Sequence, residues 1–295
     1  MTLDQRRRLP FSWVDVFTDS PLAGNPLPVV ADADGLSVES MQLIAREFNQ
    51  SETTFVMRAD FDADWKLRSF TPSGVEVSGA GHNAMGAWIS LAASGQLDPN
   101  RDHFVQQIGD ELLDVRVTTR APGSASVSML QSDPVFVRTA ATNAVLAEIL
   151  RVPFCRIGSV ITVASTGVPH LLVPLTDAEI VDRVDPNSDR LRPFLSELGA
   201  EGCYVYALTP EAEGSDAYAR FFNPTVGIVE DPATGTAAGP LAAMMARDGA
   251  VRSAGSVRIE QGTRLGRSSI LNLDVAEGVR LSGRGVVIAE GAMFV

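Results

Sequence analysis

RFFNPTVGIVEDPATGTAAGPL (residues 220–241) repeats an earlier stretch of the same chain, RSFTPSGVEVSGAGHNAMGAW (68–88). Arg68, Phe70 and Pro72 match Arg220, Phe222 and Pro224. With two residues inserted, Glu76 then matches Glu230 and Gly81 matches Gly235. Both copies run from a strand pattern, through an acidic residue and a loop of small residues, into an apolar helix. Ahead of each copy, AGNPLPVV (23–30) parallels TGVPHLLV (166–173), a Gly-x-Pro before an apolar strand. Two halves of one duplicated unit, offset by roughly 150 residues, are the expectation.

A loop feeding a helix places unpaired N–H groups and about half a positive charge at one spot. Gly81 and Gly235 let a ligand approach the backbone there without a Cβ in the way. Two matched helix starts would make a cup for a small anion such as a carboxylate. Taken singly, either loop is a tight strand-to-helix connection; the matched pair favours the binding role.

At 295 residues the chain is long enough for two domains. Its 45% hydrophobic and 20% charged residues are those of a globular protein. The net charge of −12, from 36 acidic and 24 basic side chains, argues against nucleic acid. Arg6-Arg7-Arg8 reads as a frayed, solvated arm. The apolar stretch behind it, FSWVDVF, carries Asp15 and reads as no signal peptide, and no 18 apolar residues run together, so no membrane span is expected. Cys155 and Cys203, without CxxC spacing, read as reduced core thiols of a cytoplasmic protein.

Lys66 is the only lysine, in a strand-like stretch where a solvent-facing lysine is ordinary. Schiff-base chemistry would have to use it, and a GxxxxGK[ST] phosphate loop is absent. SGAGHNAMG lacks the dinucleotide-binding glycine order, since Ala84 fills the third place. His82, His103 and His170 show no metal-ligand spacing. No metal, nucleotide, flavin or pyridoxal phosphate is therefore expected. His82 is left as a polar group within reach of the cup, or as a loop residue bonded to backbone.

The patterns predict strands over 11–17 and 26–30 and a helix from Ser37 to Asn49 with Met41, Ile44, Ala45 and Phe48 on its apolar face. Strands at 53–57 and 65–71, a helix at 83–93, and strands at 112–118 and 125–130 follow. After Asp133-Pro134 come a helix near 140–150, strands near 157–164 and 170–174, and a helix near 190–198. Strands near 203–208 and 217–222, a helix over 236–247 and short terminal strands complete an α+β chain.

The chain resembles the phenazine-biosynthesis PhzF family, whose fold is shared with diaminopimelate epimerase. The matching stretches are DVFTDSPLAGNPLPVV (15–30), MQLIAREFNQSETTFV (41–56), AGH (80–82), GIVEDPATGTAAGPLA (227–242) and IEQGTRLGRSS (259–269). The resemblance implies two pseudo-symmetric lobes, each a mixed sheet wrapped around a central helix, with the active site in the cleft between them. Residues 1–132, completed by a C-terminal strand at about 284–295, would form one lobe and 133–283 the other. A homodimer is the expected assembly.

By the same resemblance, Glu52 corresponds to the family glutamate that shuttles a proton between carbons of a dihydroxyanthranilate-like diene. His82 and Asp231 correspond to the histidine and aspartate beside it. Gly81, Gly235 and Thr236 correspond to the residues receiving the substrate carboxylate, and Asn25, Asn83 and His170 are further substrate-binding candidates. Near Phe48 and Phe55, a carboxyl at position 52 would lose hydration, which raises its pKa towards operating pH. The epimerase relatives use two loop cysteines; neither loop here has one, so a thiol-pair racemase is not expected. The implied activity is a cofactor-independent isomerase moving a proton in a small unsaturated carboxylic or amino acid, in secondary-metabolite biosynthesis. The alternatives are a racemase without cysteines, or a non-catalytic protein that binds a carboxylate metabolite or a partner. Ser78-Gly79 and Asn83-Ala84-Met85 depart from the usual family loop, which leaves the substrate open.

Overall fold

The computed structural model describes residues 7–60, 62–77, 79–121, 123–139, 143–210, 212–251 and 255–295. Arg6 of the basic run and Ser78 of the loop lie outside the described residues. The fold is mixed α/β and divides into two compact units, Met1–Leu130 with Gly283–Val295, and Gln131–Ser282.

The first unit runs β1 (Arg8–Val16), β2 (Asn25–Val30), α1 (Val38–Phe48), β3 (Thr53–Met57), β4 (Trp65–Phe70), β5 (Glu76–Val77), α2 (His82–Ala93), β6 (His103–Ile108), β7 (Glu111–Ala121) and β8 (Ser124–Leu130). The second runs β9 (Val135–Arg138), α3 (Asn143–Leu150), β10 (Thr162–Ser165), β11 (Pro169–Pro174), α4 (Ala178–Arg183), α5 (Ser188–Glu197), β12 (Gly202–Ala207), β13 (Ala217–Asn223), β14 (Ile228–Asp231), α6 (Gly235–Arg247), β15 (Ser256–Gln261) and β16 (Ser269–Asp274). The last strand, β17 (Arg280–Phe294), starts in the second unit and finishes in the first.

In the first unit β1 pairs antiparallel with β2, β2 parallel with β3, and β3 antiparallel with β4. Strand β4 then pairs antiparallel with β5 and parallel with β6, and β6–β7–β8 continue antiparallel. Because β17 pairs with both β1 and β8, this ladder closes on itself. The second unit repeats the succession: β10 antiparallel to β11, β11 parallel to β12, and β12 antiparallel to β13. Strand β13 pairs antiparallel with β14 and parallel with β15, and β15–β16 and the start of β17 run antiparallel.

The sequence explains why α2 and α6 sit against these strands. A helix buried on every side cannot carry a polar face, and HNAMGAWISL (82–91) is buried throughout. Gly86 is required for close approach: a Cβ there would come within 2.5 Å of Leu27 on β2. The one polar group of Trp88, its indole N–H, donates to the Gln106 side-chain oxygen at 2.8 Å. In the second unit, Ala237–Met245 of α6 is likewise buried, against β10, β11 and β16. Helix α1 has the one-sided pattern of a surface helix. Ser37 caps it by accepting from Ser40 N–H, and Met41, Ile44 and Ala45 are buried. Phe48 lies edge-on to Phe11 and Trp13.

The repeated residues build the same device twice. The Arg68 guanidinium donates two bonds to Glu76 at 2.7 Å each and lies over the Phe70 ring. Arg220 does the same to Glu230, at 2.7 and 2.8 Å, over Phe222. Each pair ties the strand before a loop to the short strand entering it.

Several expectations need correction. Arg7 and Arg8 do not fray: Arg8 opens β1, and Arg7 exchanges backbone bonds of 2.8 and 3.0 Å with Val295. The strand expected from 157 begins only at Thr162, because Gly158 packs under Pro174 and Ile157 makes an isolated bridge to Leu175. The terminal strands are not all short, since β17 has 15 residues. Glycines 283, 285 and 291 hid it from a propensity reading, yet at Gly285 a Cβ would strike Ile89 at 2.6 Å. Lys66 is half-buried and bonded to Asp60.

Cys155 is exposed on a single 3-10 turn, Phe154–Arg156, and only Cys203 is a core thiol. Burial pushes the Cys203 thiol up to about 12. A colourless-to-coloured disulfide reagent at neutral pH should therefore titrate Cys155 alone in the folded protein, and Cys203 only after denaturation. Equal reactivity of both thiols before denaturation would contradict this placement.

Candidate functional site

Glu52 stands between the end of α1 and β3, where the chain turns inward. Both Glu52 and His82 are buried, and His82 Nδ1 lies 3.5 Å from Glu52 Oε2. The other ring nitrogen, Nε2, is buried with no hydrogen-bond partner among the described residues. A buried polar atom without a partner calls for an explanation, and a bound ligand is one. His82 is the first residue of α2, which begins at Gly81 with no side-chain cap.

Asn83 holds this loop in shape. Its Oδ1 accepts from Gly81 N–H at 2.9 Å, and its amide donates to Gly79 O at 2.9 Å and Ser69 Oγ at 3.1 Å. Gly81 N–H is thus engaged within the loop. Thr54 Oγ1 and Ser69 Oγ bond at 2.9 Å, extending the network into β3 and β4. The sequence marked Asn83 but not Ser69 or Thr54. Ser69 was detectable as the polar residue where the second copy of the repeat has Phe221. Asn25 is fully buried at the head of β2, opposite Val16.

In the second unit Asp231 closes β14, buried. Its Oδ2 accepts from Thr234 Oγ1 at 2.5 Å. Gln261 locks this turn: its amide donates to Asp231 O at 2.8 Å and Thr234 Oγ1 at 3.1 Å, and its oxygen accepts from Thr234 N–H at 3.1 Å. Tyr204 donates to the same oxygen at 3.0 Å, and burial followed by the Asp231 charge keeps its phenol protonated. Gln261 and Thr234 stand within the EQGT and EDPATG segments that carry the family resemblance, where nothing in the sequence alone marks their bonds to Asp231. Gly235 starts α6, again without a side-chain cap, and its carbonyl accepts from Gln131 at 3.0 Å. Thr236 Oγ1 lies 3.0 Å from His170 Nε2.

Burial pushes the His170 imidazole from its ordinary 6.5 down to about 3. Between these values the unfolded chain takes up a proton that the folded chain refuses. The stability conferred by the neutral ring is thus present above pH 6.5 and lost as pH falls towards 3, by up to about 1.4 kcal/mol per pH unit. Thermal unfolding from pH 6.5 to 4 should fall more steeply for the native protein than for His170→Leu. Parallel curves would refute this.

Among the described residues, no group of three or more His, Cys, Asp or Glu side chains could hold a metal ion. Among them too, no helix is long and apolar enough to cross a membrane.

The family described as PhzC-PhzF, phenazine biosynthesis-like protein, matches residues 14–291. The trans-2,3-dihydro-3-hydroxyanthranilate isomerase of Pseudomonas chlororaphis is 34% identical over 287 residues, spanning 95% of this chain and 97% of its own. A Bacillus anthracis phenazine biosynthesis protein of the PhzF family superposes with a TM-score of 0.87 at 26% identity, over 98% of this chain and 100% of the other. A structure described as a predicted epimerase from Pseudomonas aeruginosa gives 0.83 at 32% identity, over 97% and 99%.

Proposed function

Since this chain belongs to the PhzC-PhzF family of phenazine biosynthesis-like proteins and is an isomerase of that family, we propose that it moves a proton, and with it a double bond, in a small unsaturated carboxylic or amino acid. The observation that carries this reading is the buried Glu52–His82 contact at the uncapped start of α2. As a carboxylate, Glu52 removes a proton from an sp³ carbon next to the unsaturated system. The C–H electron pair becomes a new double bond and the old one shifts along. Protonated Glu52, its proton exchanging with solvent between the two steps, then protonates the far carbon, so in ordinary water substrate and product have one composition. His82, facing Glu52 through Nδ1, keeps the carboxyl oriented and leaves Nε2 for the substrate.

In the second unit, the start of α6 with Gly235 and Thr236 receives the carboxylate, and Asp231, held by Thr234, orients the polar end of the substrate. The engaged Gly81 N–H shifts the binding role in the first unit to the next N–H groups of α2. The recurring strand pairings and the two Arg–Glu pairs support two pseudo-symmetric lobes of diaminopimelate epimerase-like type, each a mixed sheet around a central helix. Residues 1–132 with about 284–295, and 133–283, are their proposed extents. A homodimer in secondary-metabolite biosynthesis belongs to the same proposal; its placing in the cytoplasm rests on the two cysteines without CxxC spacing, and its working without a cofactor on the lone lysine, the scattered histidines and the missing dinucleotide loop.

The similarity to a hydroxyanthranilate isomerase makes trans-2,3-dihydro-3-hydroxyanthranilate and related unsaturated amino acids the compounds to test. Conversion of one member of such a panel into an isomer of unchanged mass is expected. Binding of panel members with no conversion of any would instead support a non-catalytic carboxylate-binding protein.

A further inference from the structure

The duplication puts a histidine where the first unit has a leucine. Gly24-Asn25-Pro26-Leu27 aligns with Gly167-Val168-Pro169-His170, and both Leu27 and His170 are fully buried. Leu27 packs on α2 at Gly86. His170 instead aims Nε2 at Thr236 Oγ1, 3.0 Å away. In the repeat Thr236 is the counterpart of His82. An apolar contact in one unit is thus a polar pair in the other, at an expense in desolvation that a core position alone does not require.

The ring is neutral, since burial holds it far below its ordinary range. One nitrogen carries hydrogen and the other a lone pair. Nδ1 is buried with no hydrogen-bond partner among the described residues. Were Nδ1 protonated, an orphan N–H would be buried, and Nε2 would take the Thr236 proton. With Nε2 protonated, the orphan is only a lone pair, which proteins tolerate better than an orphan donor. Nε2–H then donates to Thr236 Oγ1, and the hydroxyl hydrogen is free to point elsewhere. It has somewhere to point: Thr236 alone, between Asp231 and Pro240, is half-buried while the rest are buried.

We infer that His170 is a positioning residue, held as the Nε2–H tautomer, that makes the Thr236 hydroxyl a donor to the carboxylate of the substrate at the start of α6. This rests on the carboxylate role proposed above for that turn. It explains why a core imidazole is retained where leucine fits the matched site.

The test has two arms. Long-range ¹H–¹⁵N correlation on the ligand-free protein should show His170 protonated at Nε2 and not at Nδ1; the reverse pattern overturns the inference. Calorimetric titration with anthranilate, and with aniline as the analogue lacking a carboxylate, forms the second arm. His170→Leu, which restores the first unit's residue, should bind anthranilate about tenfold more weakly, the size of one hydrogen bond to a charged group. Aniline binding should not change. His170→Gln, with an amide that can replace Nε2–H, should recover most of the loss. Thr236→Val should match His170→Leu, and the double variant should lose little more. In turnover assays the loss should fall on KM rather than kcat. Native-strength anthranilate binding by His170→Leu overturns the inference, as do fully additive losses in the double variant. Failure of the native protein to bind anthranilate counts against the carboxylate reading itself, while the tautomer arm still decides the state of His170.

Discussion

Glu52→Gln should lower turnover by about 10²-fold or more while substrate binding stays nearly native. The amide matches the carboxylate in shape and keeps a hydrogen-bonding oxygen, so packing around position 52 and the facing His82 Nδ1 is preserved. What it lacks is a group that can take up and return a proton. Asp231→Asn and His82→Ala should lose less, because both are assigned to orienting groups rather than to carrying the proton. Gly235→Val should act differently again: a β-branched side chain at the start of α6 blocks the approach to its N–H groups and weakens binding. Steady-state kinetics with single-turnover measurements separate these effects. Native-like turnover in Glu52→Gln, with activity abolished in the other two, would move the shuttle elsewhere.

Arg220→Met should destabilise the protein by about 3–5 kcal/mol, the usual cost of breaking a buried ion pair from one side. The two side chains of this pair are only 7% and 11% exposed. Besides Glu230, the guanidinium donates to the carbonyls of Val181, Asp182 and Val184 at 2.9, 3.1 and 2.9 Å, closing the C-terminal end of α4. Its removal strands the Glu230 carboxylate and takes a donor from all three carbonyls. The matched pair in the first unit, Arg68–Glu76, is 22% and 44% exposed, so Arg68→Met should cost about 1 kcal/mol or less. Urea unfolding of the two variants measures the contrast. Replacing both partners, Arg220→Met with Glu230→Leu, should regain much of the loss, since the charge is no longer abandoned. Equal losses at Arg68 and Arg220 would show that burial does not separate the two copies.

The same pair marks how far the sequence could be read. The spacing of Arg, Phe and Glu announced the duplication, because strand, ion pair and helix start repeat in one order. The helix that Arg220 closes was not legible. TDAEIVDRV is too short to show a helical period, and its signal is one capping residue, Asp177, which accepts from Ile180 N–H. Family motifs point to Glu52 and His82, and the structure brings them into contact within one unit. Asn83 was legible as polar but not as the brace of its own loop, since that use depends on Ser69 and Gly79 converging from elsewhere in the fold. Composition does not show that Cys155 stands exposed on a 3-10 turn, nor that Arg7 pairs with Val295, 288 residues away, because both depend on the folded chain.

Solvent labelling tests the central claim most directly. Run to completion in D₂O with a converted substrate, the native protein should yield product carrying deuterium at the carbon that gains the proton, through exchange at the Glu52 carboxyl. Over the same time, Glu52→Gln should form about a hundredfold less product and carry correspondingly less label into it. Labelled product formed by Glu52→Gln at the native rate would contradict the account.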